Sequence, residues 1–293
     1  MVALVVAFTL LIVLAGVVLW AGGSEIAVEE RGVGIVEAMP RSLAESSFEP
    51  SDILTLYSYN LGYGLGDAEA GTAQSREAIH DRLDRVIEGI AASEADAALL
   101  RAVDFASRRT AFIPQLHYVA EALGWRYVAA ISTWECRYLP LPRSQAGRVR
   151  AGQGIISRLP LEHNSWRRFA RPRWTIARPA LPFAPHDAVQ VVDMRCGVRG
   201  IRLLQAHLAS SHGGCDERRQ EELLEVLRRM GMPGCVVTGV DERTAGEIGR
   251  VLSFQAKTGG VLLGSTWSSA DVRVLTPLSG VSAHAPVLVR LKL

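Results

Sequence analysis

The chain has 293 residues, 48% of them hydrophobic, with a formal net charge of +2 and a mean hydropathy of +0.15. That length bounds one or two domains with a substantial buried core. A charge so close to balance supplies no electrostatic footprint for a nucleic-acid partner.

The apolar excess is concentrated at the N-terminus. Met1 to Gly23 carries no charged side chain, and Thr9 is its one polar residue. A bilayer core needs about 20 apolar residues as helix. Val2 to Ala21 meets that length, and Trp20 falls where an interfacial aromatic belongs. Residues 1–23 are therefore predicted to be a transmembrane anchor. The alternative is a cleaved signal peptide. Against it stand the absence of Lys and Arg before the run, the length of the run, and Ala21-Gly22-Gly23 as a poor cleavage site. A buried soluble helix is disfavoured because the run is apolar on every face. Glu25, Glu29 and Glu30 come before Arg31, an acidic flank that predicts translocation of the bulk domain to the extracytoplasmic side.

Residues 24–52 have few long apolar runs and read as a tether or N-terminal extension; 53–293 read as one α/β domain. Ile53 to Tyr59 alternates like a strand, ending at Asn60 before Gly62 and Gly64. Ser75 to Ser93 is a predicted helix, its stripe made by Ile79, Leu83, Val86, Ile87 and Ile90. Ala97 to Leu100 is a short buried strand. Ala111 to Leu123 is a helix with Pro114 in its first turn. Ala188–Cys196 and Ile201–Leu208 flank Gly197 to Gly200 as a hairpin. Asp216 to Arg229 is a charged helix with Leu223, Leu224 and Leu227 on its apolar edge. Cys235 to Thr238 is a buried strand, and Val287 to Leu293 an alternating one. Cys136, Cys196, Cys215 and Cys235 lack metal-ligand spacing; Cys235 is expected to be buried, and a disulfide among the others stays open.

Several strands end in polar residues: Asn60, Gln153, His207, Asp241 with Glu242, and His284. Loops at strand ends carry chemistry because the scaffold beneath them is rigid. These residues fall within six short motifs: LYSYN (Leu56–Asn60), ALLRAVD (Ala98–Asp104), GQGIISR (Gly152–Arg158), QAHL (Gln205–Leu208), VVTG (Val236–Gly239) and SAHAP (Ser282–Pro286). In that order and spacing, they resemble the endonuclease/exonuclease/phosphatase superfamily from about Leu54 to the C-terminus. The resemblance implies a four-layer α/β sandwich: two packed, mainly antiparallel sheets flanked by helices. It also implies phosphoester hydrolysis with Mg²⁺ or Mn²⁺, the metal polarising the phosphoryl oxygen.

The departures from the family pattern bear on activity. Ala102 stands where the family's principal metal-binding Glu is expected, Val240 where an Asp is expected, and Ala283 where the Asp of Ser-Asp-His is expected. What the resemblance leaves as residual catalytic positions is Asn60, His207 and His284, with Gln153, Asp241 and Asp271 as substrate-side candidates. Glu242 becomes a metal ligand only if coordination is rearranged. Asp104 lies two residues past Ala102 and matches an Asp the family also carries. The expectation is a membrane-anchored, catalytically impaired domain that binds or scaffolds, with a phosphate-containing ligand. The alternative is an active Mg-dependent phosphodiesterase, phosphatase or nuclease using Glu242, Asp241 or Asp271.

Two basic features complete the reading. Trp166 to Trp174 interleaves four Arg with aromatics, a composition suited to bases or anionic headgroups. The simpler account is a solvated loop with buried aromatics, and nucleic acid is the weakest expectation. Arg148, Arg150 and Arg158 are expected to add positive charge on the substrate side.

Overall fold

The computed structural model describes residues 1–23, 31–39, 52–66, 74–169, 183–208, 217–230, 234–252, 254–267 and 269–293. Helix α1 spans Val2–Gly22, and its side chains face outward almost throughout. It is long and apolar enough to cross a membrane.

Two short strands follow, β1 (Arg31–Val33) and β2 (Val36–Ala38). They lie within the expected tether, yet each pairs with the body of the fold. Then come β3 (Ile53–Asn60), α2 (Arg76–Ala92), β4 (Ala97–Asp104), α3 (Gln115–Leu123), β5 (Tyr127–Leu139), β6 (Gly147–Ser157) and β7 (Leu161–Arg168). The second half supplies β8 (Ala188–Cys196), β9 (Arg199–His207), α4 (Glu217–Met230), β10 (Cys235–Thr238), α5 (Glu242–Leu252), β11 (Gln255–Lys257), β12 (Val261–Leu263), β13 (Ala270–Val274) and β14 (Val287–Lys292).

The strands form two seven-stranded sheets, ordered β1-β7-β8-β9-β10-β12-β11 and β13-β14-β3-β4-β6-β5-β2. Pairing is antiparallel except for β9 with β10 and β3 with β4. The chain between β1 and β2 crosses from an edge of one sheet to an edge of the other.

Alternation of side chains explains the layers. In β3, Leu54 and Leu56 point into the core between the sheets, packing with Leu99, Ile155, Leu203, Val236 and Val289. Tyr57 and Tyr59 point the other way, onto Ile79, Leu83, Val86 and Ile90 of α2. Each such fully buried aliphatic side chain contributes about 1.5–3 kcal/mol. On the far side, Leu223, Val226 and Leu227 of α4 and Ile248 of α5 cover the other sheet. The result is the α/β/β/α order expected.

Local signals set most boundaries. Ser75 caps α2 by accepting a 3.1 Å bond from the Ala78 amide. Helix α3 begins later than Ala111, at Gln115, because Ala111 and Phe112 have φ of 50° and 59°, outside the helical region. Strand β4 runs four residues beyond Leu100, to Asp104. Cys136, Cys196 and Cys235 are free and buried; Cys215 lies outside the described residues.

Candidate functional site

Where β3, β4, β9 and β10 end, a cavity of about 630 Å³ opens. Asn60, Arg101, Ala102, His207 and His284 line it, with Asp241 and Glu242 also on its wall. Five of the seven candidate residues from the sequence therefore meet at one place: Asn60, His207, His284, Asp241 and Glu242.

A bulge in β4 shapes the floor. Arg101 pairs with Gln153 and Val103 with Gly152, leaving Ala102 as the extra residue, at a φ of 49°. In a regular strand, neighbouring side chains point to opposite faces; the bulge lets Arg101 and Ala102 both line the cavity. The position expected to hold a metal-binding carboxylate thus faces the site, and it carries a methyl group.

Arg101 brings the positive charge. Its Nε is sequestered without a hydrogen-bond partner, and no carboxylate among the described residues lies against its guanidinium. Burial lowers its pKa to about 10, so it stays protonated at neutral pH. Gly239, with φ of 86°, lets the chain pass close to it.

Two histidines share that environment. Burial, then Arg101 and His284, hold His207 down at about 4. Burial and Arg101 lower His284 as well. Both rings are neutral at pH 7, each offering one donor and one acceptor nitrogen. Asn60 Oδ1 accepts a 3.1 Å bond from the Gly62 amide, a local turn that fixes its side chain at the cavity edge.

The carboxylates near the cavity are committed elsewhere. Asp241 caps α5, its oxygens accepting from the Thr244 amide at 2.9 Å and the Thr244 hydroxyl at 2.7 Å. Glu242 accepts from the Gly259 amide at 2.7 Å and the Thr258 hydroxyl at 3.3 Å. Asp104 is buried in a two-point pair with Arg109, at 2.9 and 2.8 Å. Arg109 in turn lies over the Tyr63 and Trp134 rings, 4.0 and 4.4 Å from their centroids.

Two candidates lie away from the cavity wall. Asp271 sits on β13, half-exposed and paired with Arg273 at 2.7 Å, because the register of β13 on β14 turns it outward from the site. Gln153 is fully buried between the sheets, where its Nε2 donates to the Gln205 carbonyl at 2.8 Å. It is not among the residues that line the cavity. Arg158 is at the opposite end of β6, paired with Asp96, so it adds no charge to this site. Arg148 and Arg150 are exposed on β6 and do not line the cavity.

In the Trp166–Trp174 stretch, Trp166 to Phe169 are described and Ala170 to Trp174 lie outside the described residues. Arg168 is buried, stacked 4.6 Å from the Trp166 ring, and donates to the Ser132 carbonyl. Sequence reasoning missed Arg101 as a site residue. The available signal was a charged residue inside an otherwise apolar strand.

Magnesium takes hard oxygen ligands in octahedral array. Among the described residues no group of three or more His, Cys, Asp or Glu converges in a metal-binding arrangement. With a guanidinium beside Ala102 and both wall carboxylates tied into α5 and its neighbouring turn, the residues present do not fit a divalent cation.

Helix α1 meets the domain at the same end as the cavity. A Cβ built on Gly23 would fall 3.3 Å from Arg137 Nη1. Arg137 lies on β5 beyond the Trp134–Ala151 pairing, in the direction in which β3 and β4 run toward Asn60 and Asp104. Exposed Arg137, Arg143, Tyr138 and Leu141 surround that end of the β5–β6 hairpin.

The fold is that of endonuclease/exonuclease/phosphatase proteins. The Beutenbergia cavernae endonuclease/exonuclease/phosphatase is similar, with a TM-score of 0.55 at 13% identity, over 82% of this chain and 72% of that one. An endonuclease/exonuclease/phosphatase family protein from Bacteroides thetaiotaomicron aligns with a TM-score of 0.53 at 12% identity, over 83% and 98%. The human Nocturnin catalytic domain, solved with a bound sulfate anion, gives 0.51 at 12% identity, over 81% and 92%. No family model matches the sequence, and no curated protein does.

Proposed function

We propose that this endonuclease/exonuclease/phosphatase-fold chain is a membrane-anchored domain that binds a phosphate-containing ligand and does not hydrolyse it by metal catalysis. One observation carries the reading. The cavity gathers Asn60, His207 and His284 around a protein cation, while the carboxylates on its wall serve as a helix cap and a turn anchor. In metal-assisted phosphoester hydrolysis the ion stabilises charge on the phosphoryl and leaving oxygens. A guanidinium supplies positive charge and directed donors, which hold a phosphate. It has no acceptor through which to activate a water.

Helix α1 supports the membrane placement by its length, apolarity and exposure. Its exit at the cavity end of the sheet would hold the site close to a bilayer surface. The acidic residues after the helix, Glu25, Glu29 and Glu30, favour the extracytoplasmic side.

The test is turnover of a generic phosphodiester and a generic phosphomonoester by the purified full chain, with Mg²⁺ or Mn²⁺ and then with chelator. The expected result is no chelator-sensitive activity above a His207→Ala control. Metal-dependent turnover well above that control overturns the proposal and restores the hydrolase alternative.

A further inference from the structure

We infer that Arg101 anchors a metal-free phosphate site, its guanidinium standing in the cavity as the fixed positive charge that binds a phosphate group. The inference rests on the binding function proposed above and assigns its ligand class and central residue.

Arg101 carries an energetic imbalance. Removing a charge from water costs several kcal/mol unless a partner compensates. Among the described residues, Arg101 Nε is sequestered without a hydrogen-bond partner and no carboxylate neutralises the group. Gly239 lies against one side, since a Cβ there would fall 3.0 Å from Arg101 Cδ and 2.5 Å from Nη1. That contact fixes the direction of the side chain before any ligand arrives. The polar atoms around it are neutral rings and an amide: His207, His284 and Asn60. The titratable neighbours that face the cavity as anions, Asp241 and Glu242, are held by Thr244 and by the Gly259 amide.

A half-buried cation, two neutral imidazoles and a carboxamide can each donate to a tetrahedral oxyanion. A phosphate dianion would receive the guanidinium fork, the strongest such pairing, with the histidines and Asn60 completing its shell. A second cation bound there would meet Arg101 in repulsion. The ligand is thus a phosphate monoester or inorganic phosphate, presented either as a free solute or as a lipid headgroup at the membrane-proximal rim.

Calorimetric titration of the full chain in detergent with inorganic phosphate and with glycerol phosphate, both in chelator, tests the assignment. Binding without metal is expected, weakened about 10- to 100-fold in Arg101→Gln, the loss of one charged hydrogen-bonding group. Arg101→Lys keeps the charge without the fork and is expected to fall between the two. Should Arg101→Gln fail to fold, Arg101→Lys and the His207 ring resonance of the wild type, which phosphate should raise in pKa, decide the question. Phosphate binding undiminished by both substitutions overturns this inference while leaving the non-hydrolytic reading intact. No phosphate binding at all overturns both. Binding only with Mg²⁺ shows a metal site and likewise overturns both. Reconstitution into phosphatidylcholine bilayers with and without phosphatidic acid separates the sources: competition by the lipid identifies a headgroup, and its absence a soluble ester.

Discussion

Gly239 lies directly against Arg101: a single methyl group at residue 239 would approach Arg101 Nη1 to 2.5 Å and the Ala206 carbonyl oxygen to 2.0 Å. Two neighbouring strand ends, β4 and β10, are thereby brought close enough that one lends its side chain to the other's turn. The first test exploits that contact. Gly239→Ala combines a backbone clash with a φ of 86° and is expected to destabilise the fold by more than about 2 kcal/mol in denaturant titration. Gly200→Ala, where nothing lies within 4 Å of a new Cβ, should stay within about 0.5 kcal/mol. Equal effects would mean that the contact has no structural weight.

Two arginines eight residues apart should behave oppositely. Arg109 is paired with buried Asp104, so Arg109→Met leaves a carboxylate without its partner and should cost about 3–5 kcal/mol. Arg101 has no carboxylate partner among the described residues, and Arg101→Met should be neutral or stabilising in the absence of ligand. Denaturant midpoints measured without phosphate compare the two, and a large loss for Arg101→Met would reveal a counterion.

The pH dependence of stability carries a definite sign. His207 has a folded pKa of about 4 against an ordinary value of 6.5, so between those values the unfolded chain binds more protons. Stability should therefore fall as pH drops from 6.5 toward 4, by at most about 1.4 kcal/mol per pH unit from this group. Unfolding curves across that range should show the slope, and His207→Gln should remove its share. An unchanged slope in the variant would place the titration elsewhere.

Placing a carboxylate at the bulge tests the proposal that the site does not bind metal. Ala102 lines the cavity beside Arg101. The pair of substitutions Arg101→Gln and Ala102→Glu exchanges a cation for a hard oxygen ligand. Calorimetry with Mn²⁺ should give heat of binding for the double variant and none for the wild type. Wild-type binding of comparable strength would contradict the reading of the site.

On the proposed reading, membrane attachment turns on α1. An Arg placed at its centre, Leu11→Arg, should oppose insertion by about 2.5–3.5 kcal/mol. Deleting Val2–Gly22 should move the chain from the alkaline-washed membrane pellet to the supernatant. A chain that pellets without the helix would locate its attachment in the domain surface.

Sequence by itself determined what depends on near neighbours. The stripe through Ile79, Leu83, Val86 and Ile90 requires a helix to bury one face, and it forms within one residue of each expected end. Cys235 to Thr238 and the Ala188–Cys196 hairpin strand likewise follow from local apolarity and a glycine turn. The order of the short motifs was enough to imply the sandwich, and with it the meeting of Asn60, His207 and His284.

Tertiary structure alone decided which groups are free to act. Asp241 and Glu242 look alike in sequence as candidate ligands, but bonds to Thr244 and to a distant turn at Thr258–Gly259 engage both. Asp271 is turned away by its strand register, and Arg158 is carried to the wrong end of β6. Arg101 came to line the cavity through a bulge and a glycine 138 positions away, neither of which leaves a trace in the spacing around it. Periodicity records which side of an element is buried. Whether a polar group there has a partner depends on chain segments remote in sequence, and only their packing settles it.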